Sequence, residues 1–199
     1  MKTRKKITPS KLATRIYGKR IQFDMATDKK MSNPVPHVNK PDDLCNHDKC
    51  INPELTKLGF GQLPRHMMPQ FSNIKEIKSL AHKISKKIGI PVRHQFKMIE
   101  IKNLSPTQNE ISNSKTQSIL DKWPKHAILK AVQKGSPIVI SNTGSVIDGH
   151  HRSEALKKAV DKGYIKSSDK VRVFTIDLPA WTILSMANLF GYNKNSHSF

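Results

Sequence analysis

Apolar positions recur at two different periods along the chain, and the change falls near residue 91. Before it, Ile74, Ile77, Leu80, Ala81, Ile84 and Ile88 return every three or four residues. That spacing predicts an amphipathic helix over 72–88, capped by Ser72 and stopped by Gly89, with Pro91 just beyond. After it, Phe96-Lys-Met-Ile-Glu-Ile101 alternates as a strand does. Leu104–Glu110 reads as a turn, and 111–133 as one helix or two broken at Pro124. Pro137-Ile-Val-Ile-Ser141 is a β-branched run expected as a buried strand. Asn142-Thr-Gly144 is a hairpin turn and Ser145-Val-Ile147 the return strand. Asp148-Gly-His-His-Arg152 opens a helix with Ala155, Leu156, Ala159 and Val160 inside, closed at Gly163. Val171–Ile176 is a last strand, and Pro179 leads into a terminal helix. The expectation is a compact α+β domain over about 91–190.

The residues before it are less regular. Leu55, Leu58, Phe60, Leu63, Met67, Met68 and Phe71 are interrupted by Pro64 and Pro69, so 54–71 is expected as a buried irregular stretch. Residues 33–53 carry Pro34, Pro36, Pro41 and Pro53 among Asn and Asp, which marks a linker. Residues 1–32 are polar, with one short helix around Ser10–Tyr17. Three parts result: a basic arm and linker over 1–53, a helical lead-in over 54–90, and the α+β domain over 91–199. The lead-in is expected to pack on that domain.

Charge changes the picture. The 199 residues carry 35 Lys+Arg against 15 Asp+Glu, a net charge of +20. Residues 1–40 hold 11 basic and two acidic side chains, a net of +9, and no acid precedes Asp24. Such a segment binds polyanions by counterion release, which predicts contact with the DNA backbone; the bland alternative is a solvated tail. No apolar run approaches the ~20 residues of a membrane span, and two cysteines make no disulfide framework. A cytoplasmic protein is expected. Cys45-Asn-His47-Asp-Lys-Cys50, with His37 and His66 in sequence reach, lacks the paired spacing of a zinc site, so no metal site is assigned.

The chemistry concentrates at Asp148–Arg152. A strand that runs through Asp148-Gly149 into a helix needs glycine for the tight turn. The helix's first turn leaves N–H groups unpaired and carries partial positive charge. Arg152 adds a planar fork suited to phosphate oxygens. A phosphate is the natural ligand, with Asp148 beside it to hold Mg²⁺ or orient a hydroxyl. The competing reading makes Asp148 a helix cap, and by helical spacing alone at most one of the neighbouring His150 and His151 is expected to face the ligand.

Ile138-Val-Ile-Ser-Asn-Thr-Gly-Ser-Val-Ile-Asp-Gly-His-His-Arg152 resembles the signature of the ParB/sulfiredoxin superfamily, over about 91–177. Leu63-Pro-Arg-His-Met-Met-Pro-Gln70 and Leu104-Ser-Pro-Thr-Gln-Asn-Glu-Ile111 add a likeness to a ParB-like family common in bacteriophage genomes, which often has an aromatic where this chain has Ser153. The superfamily includes CTP-binding partition proteins, ATP-using sulfiredoxins, free-serine kinases and nucleases. The resemblance implies a small mixed sheet with flanking helices, and ATP or CTP with Mg²⁺ as cofactor. It implies that Gly149, His150, His151 and Arg152 hold the nucleotide phosphate, with Thr107 and Gln108 in the same cleft. Asp148, Glu110 and His151 become the catalytic candidates. His150 stands where sulfiredoxin-like members have their cysteine, which argues against sulfinic-acid reduction.

Three functions stay open at this point. One is an NTP-dependent phosphotransferase or nucleotide hydrolase working at 148–152. Another is a DNA-associated ParB-like protein or nuclease whose basic arm contacts the backbone. The last is a structural protein with a vestigial turn.

Overall fold

The computed structural model describes residues 52–58 and 62–192; the basic arm, the linker up to residue 51 and the Cys45/His47/Cys50 group lie outside the described residues. The helices are α1 (Pro53–Lys57), α2 (Ile74–Ile88), α3 (Asn113–Asp121), α4 (Ile128–Lys134), α5 (His150–Asp161) and α6 (Ala180–Leu189). The strands are β1 (His94–Glu100), β2 (Ile138–Ile140), β3 (Val146–Asp148) and β4 (Lys170–Ile176). Single 3-10 turns precede α2 and α4 and follow β1. No described helix is long and apolar enough to cross a membrane.

The four strands form one mixed sheet in the order β1-β4-β2-β3. β1 pairs antiparallel with β4, β4 parallel with β2, and β2 antiparallel with β3. Side chains alternate across a sheet, so its two faces bury two sets of residues. One face, through Val139, Ile147, Phe174 and Ile176, packs on Leu80, Ala81 and Ile84 of α2 and Ile183, Leu184 and Ala187 of α6. The other, through Ile138, Ile140, Val146, Val171 and Val173, packs on Leu120, Ile128, Val132, Leu156 and Ala159 of α3, α4 and α5. The sheet is thus a middle layer between two helical layers.

Local chemistry sets the element ends. Asn73, rather than the expected Ser72, caps α2: its side-chain oxygen accepts from the backbone N–H groups of Lys75 and Glu76, while Ser72 donates its own N–H to the Glu76 carboxylate. Gly89 ends α2 at φ 69°, a left-handed conformation glycine adopts without strain. Pro124 breaks 111–133 into α3 and α4, because it offers no N–H to a continuing helix. Pro53, expected in the linker, opens α1 under an Asn52 cap, the place where a missing N–H costs nothing.

Of the expected irregular stretch 54–71, residues 54–57 belong to α1, and the described residues 62–71 hold a single 3-10 turn; Leu55, Met68 and Phe71 are buried, and Leu58 is not, being 51% exposed. Asn52 reaches Ser145 Oγ at 3.1 Å, and the Glu54 carboxylate accepts from Ser145 Oγ and from the Ala180 N–H at the start of α6, both at 2.8 Å. An acidic group there also suits the α6 dipole.

Candidate functional site

β3 ends at Asp148, and the chain turns into α5 through Gly149. Gly149 has φ 91°, and a Cβ there would lie 2.9 Å from Arg152 Nη2 and 3.2 Å from the Ile138 backbone. Only glycine fits between them. The α5 N-terminus has no side-chain cap, so its first-turn N–H groups are not satisfied by the turn itself. Arg152 folds back over Gly149 and donates from Nη2 to the Pro137 carbonyl at 3.1 Å. The Asp148 carboxylate accepts from the N–H of Gly149 at 2.7 Å and of Phe71 at 3.4 Å.

These groups open on a cleft of about 540 Å³, within the range of small-ligand sites. Asp148, Gly149, His150, His151 and Arg152 form its floor. Arg65, Met68, Pro69, Gln70 and Phe71 make one wall, and Lys115, Ser118, Ile119 and Lys122 along α3 make another. Four cations (Arg65, Lys115, Lys122, Arg152) therefore surround one carboxylate. Lys115 and Lys122 stand two helical turns apart, about 10 Å along the axis.

Burial tunes these charges. Asp148 has its carboxyl pushed above the usual range by desolvation, against the opposing pull of Arg152 and the two backbone N–H groups. Arg152 is lowered by burial and raised by Asp148, and remains a cation at neutral pH. His150 is buried and its pKa falls to about 3, first from desolvation and then from His151 nearby. It is a neutral imidazole under working conditions.

The two histidines part as successive helical residues must. The His150 ring runs inward, where Nε2 accepts from the Thr107 backbone N–H at 3.3 Å and lies 3.1 Å from Thr107 Oγ1; Thr107 Oγ1 itself donates to the Val146 carbonyl. His151 Nε2 accepts from the Ser112 N–H at 3.2 Å, so it fixes the start of α3 and the position of the lysine wall.

Of the residues expected at a site, the structure brings Asp148, Gly149, His150, His151, Arg152 and Gln108 to the cleft. Thr107 and Glu110 are not among its lining residues. Thr107 is fully buried and braces the turn from beneath. The Glu110 carbonyl accepts from the Gln108 side-chain amide, which fixes that amide beside the cleft. Thr107 and the His150 ring contact each other beneath the turn.

Arg65, Gln70, Lys115, Ser118 and Lys122 line the cleft in addition to the expected set. Arg65 and Gln70 belong to the Leu63–Gln70 string that carries the phage-type resemblance. The i, i+3, i+4, i+7 spacing of 115, 118, 119 and 122 is the sequence signal for one shared helical face.

Among the described residues no three of His, Cys, Asp and Glu cluster to hold a metal. Set against known proteins, the chain matches no family model, no curated protein and no solved structure.

Proposed function

We propose that this chain is a ParB/sulfiredoxin-like protein that binds a nucleoside triphosphate in the Asp148–Arg152 cleft and transfers or hydrolyses its phosphate. The observation that carries this reading is the four-cation, one-carboxylate cleft at the uncapped N-terminus of α5. A single phosphate needs only the turn. The second pair of cations on α3, about 10 Å in extent, suits a ligand with several phosphates in a row.

The roles follow from the geometry. Backbone N–H groups of the α5 first turn and the Arg152 fork hold one phosphate. Lys115 and Lys122 act as point charges on the others. Asp148, the one carboxylate in the lining, faces the hydroxyl or water that attacks; its raised pKa makes it a stronger base than an ordinary aspartate. In such chemistry the protein supplies position and charge. Magnesium fits this donor set, since it takes one or two carboxylates and completes its shell with phosphate oxygens and water. Asp148 would hold it in place of acting as the base, and the ion would neutralise phosphate charge. The alternative of a DNA-associated protein rests on the basic arm, which lies outside the described residues.

Arg152→Ala tests the assignment. Loss of a charged hydrogen bond predicts ~1.5–3 kcal/mol weaker nucleotide binding, read by calorimetric titration with Mg²⁺. Unchanged affinity in that variant would remove Arg152 from the site.

A further inference from the structure

The sheet register lines up more than the phosphate cleft. Asp148 pairs with Val139, Val139 with Phe174, and Phe174 with Phe96. One row therefore crosses all four strands and ends at Phe96 on the outer strand β1. One step further out Ile138 faces Val173, and two steps out Met98 faces Arg172, so the parallel register brings Pro137 beside Arg172 at the same end of the sheet. At spacings of about 4.8 Å per strand, β4 lies about 10 Å from β3.

A second, smaller cavity of about 210 Å³ sits there, lined by Ile74, Phe96, Val132, Gln133, Pro137 and Arg172 among others. Two segments of the chain contribute to both linings. Ser136 lines the cleft while Gly135 and Pro137 line the cavity; Gln70 and Phe71 line the cleft while Ile74 lines the cavity. The charged cleft thus lies at the β3 side of this sheet end and the aromatic cavity at the β1–β4 side.

The aromatic end is built for a flat ring. The Arg172 guanidinium stacks at 3.7 Å over the centroid of Phe96. Phe96 is braced edge-on against Phe174, with centroids 5.1 Å apart and planes at 88°. Phe96 is nonetheless 38% exposed, unusual for a phenyl ring on a short sheet. A guanidinium held flat on a phenyl ring offers a planar cationic shelf to a π-system. Stacking of this kind grips a base whatever its identity, and Gln133 at the rim supplies an amide that can hydrogen-bond its edge.

We infer that the Phe96–Arg172 cavity is the subsite for the nucleobase of the ligand whose phosphates occupy the Asp148–Arg152 cleft. This rests on the function proposed above, and it assigns base recognition to the β1–β4 end of the sheet rather than to the turn itself.

The test compares sodium triphosphate with ATP, CTP, GTP and UTP, each with Mg²⁺, by calorimetric titration of the full chain. The expected result is at least one nucleotide binding ten-fold or more tighter than triphosphate. Phe96→Ala and, independently, Arg172→Gln should remove that advantage while leaving triphosphate affinity unchanged. Arg172 is exposed, so its variant keeps the comparison valid if Phe96→Ala fails to fold. Arg152→Ala should weaken nucleotides and triphosphate together. Triphosphate binding as tightly as every nucleotide, or nucleotide affinity unaltered in the Phe96 and Arg172 variants, overturns the base subsite and leaves the phosphate site standing. Failure of the wild-type chain to bind any of the five overturns both.

Discussion

His150 shows how one residue can belong to a functional motif and still serve the fold. Its imidazole is enclosed, accepts from Thr107 and stays neutral down to about pH 3. The unfolded chain takes up a proton near the ordinary value of about 6.5. Between those limits the unfolded state binds more protons than the folded one, so stability falls as pH falls. The loss approaches roughly 1.4 kcal/mol per pH unit once the unfolded histidine is fully protonated. Denaturant melts at pH 7 and pH 4.5 should therefore diverge less for His150→Gln than for the wild type. Parallel losses in the two proteins would mean that another group drives the acid sensitivity. The sequence alone says that two adjacent histidines must point apart, since helical residues turn by about 100°. It does not say which goes inward, because that depends on Thr107, 43 positions away. The expectation for Glu110 rests on string likeness alone, and nothing local to that string fixes where its side chain ends up.

At the scale of elements, the strand–glycine–helix unit was the most legible part of the chain. A β-branched run, a hairpin turn, a glycine and then helical periodicity each carry a local cause, and the structure has β2, β3 and α5 within a residue or two of the expected ends. Gly149 joins them, and substitution there should cost much for little added volume. Alanine there must adopt φ 91°, which costs an L-residue about 1–2 kcal/mol. Its Cβ also meets backbone at 3.2 Å and the Arg152 guanidinium at 2.9 Å. Gly149→Ala is expected to lower unfolding free energy by at least that backbone cost and to displace Arg152, so nucleotide affinity should fall with it. Wild-type stability and affinity in the variant would show that the turn relaxes freely. The lysine wall of α3 was less legible. A polar stripe at helical spacing looks like a solvated face until packing turns it toward a neighbour. That packing is set by the His151–Ser112 hydrogen bond and by Lys158 Nζ reaching Asn113 Oδ1 at 3.0 Å, contacts no local pattern encodes.

Across the whole molecule, the sequence division at residue 91 separates periods but not cores. The lead-in supplies Met68, Phe71, Ile77, Leu80, Ala81, Ile84 and Ile88 to the same cluster as Phe174, Ile176 and the apolar face of α6. It also supplies Arg65, Gln70 and Phe71 to the cleft and a backbone N–H to Asp148. Tyr192, beyond α6, holds this segment from the far end of the chain: its carbonyl accepts from the Gln70 N–H at 3.3 Å and its ring lies 5.7 Å from that of Phe71. Periodicity reveals where an element starts; which elements share a core is decided by pairings distant in sequence. A chain beginning at Pro91 would uncover the part of one sheet face, and of α6, on which Leu80, Ala81 and Ile84 of α2 pack. At ~1.5–3 kcal/mol for each large apolar side chain returned to water, uncovering several of them costs about as much as the ~5–15 kcal/mol that stabilises an ordinary domain. The truncated chain is therefore expected to give no cooperative thermal transition by circular dichroism and to bind apolar dyes, whereas the full chain melts cooperatively. A sharp transition in the truncated chain would show that residues 91–192 form a self-sufficient fold, and that the lead-in is an addition to the site rather than half of its foundation.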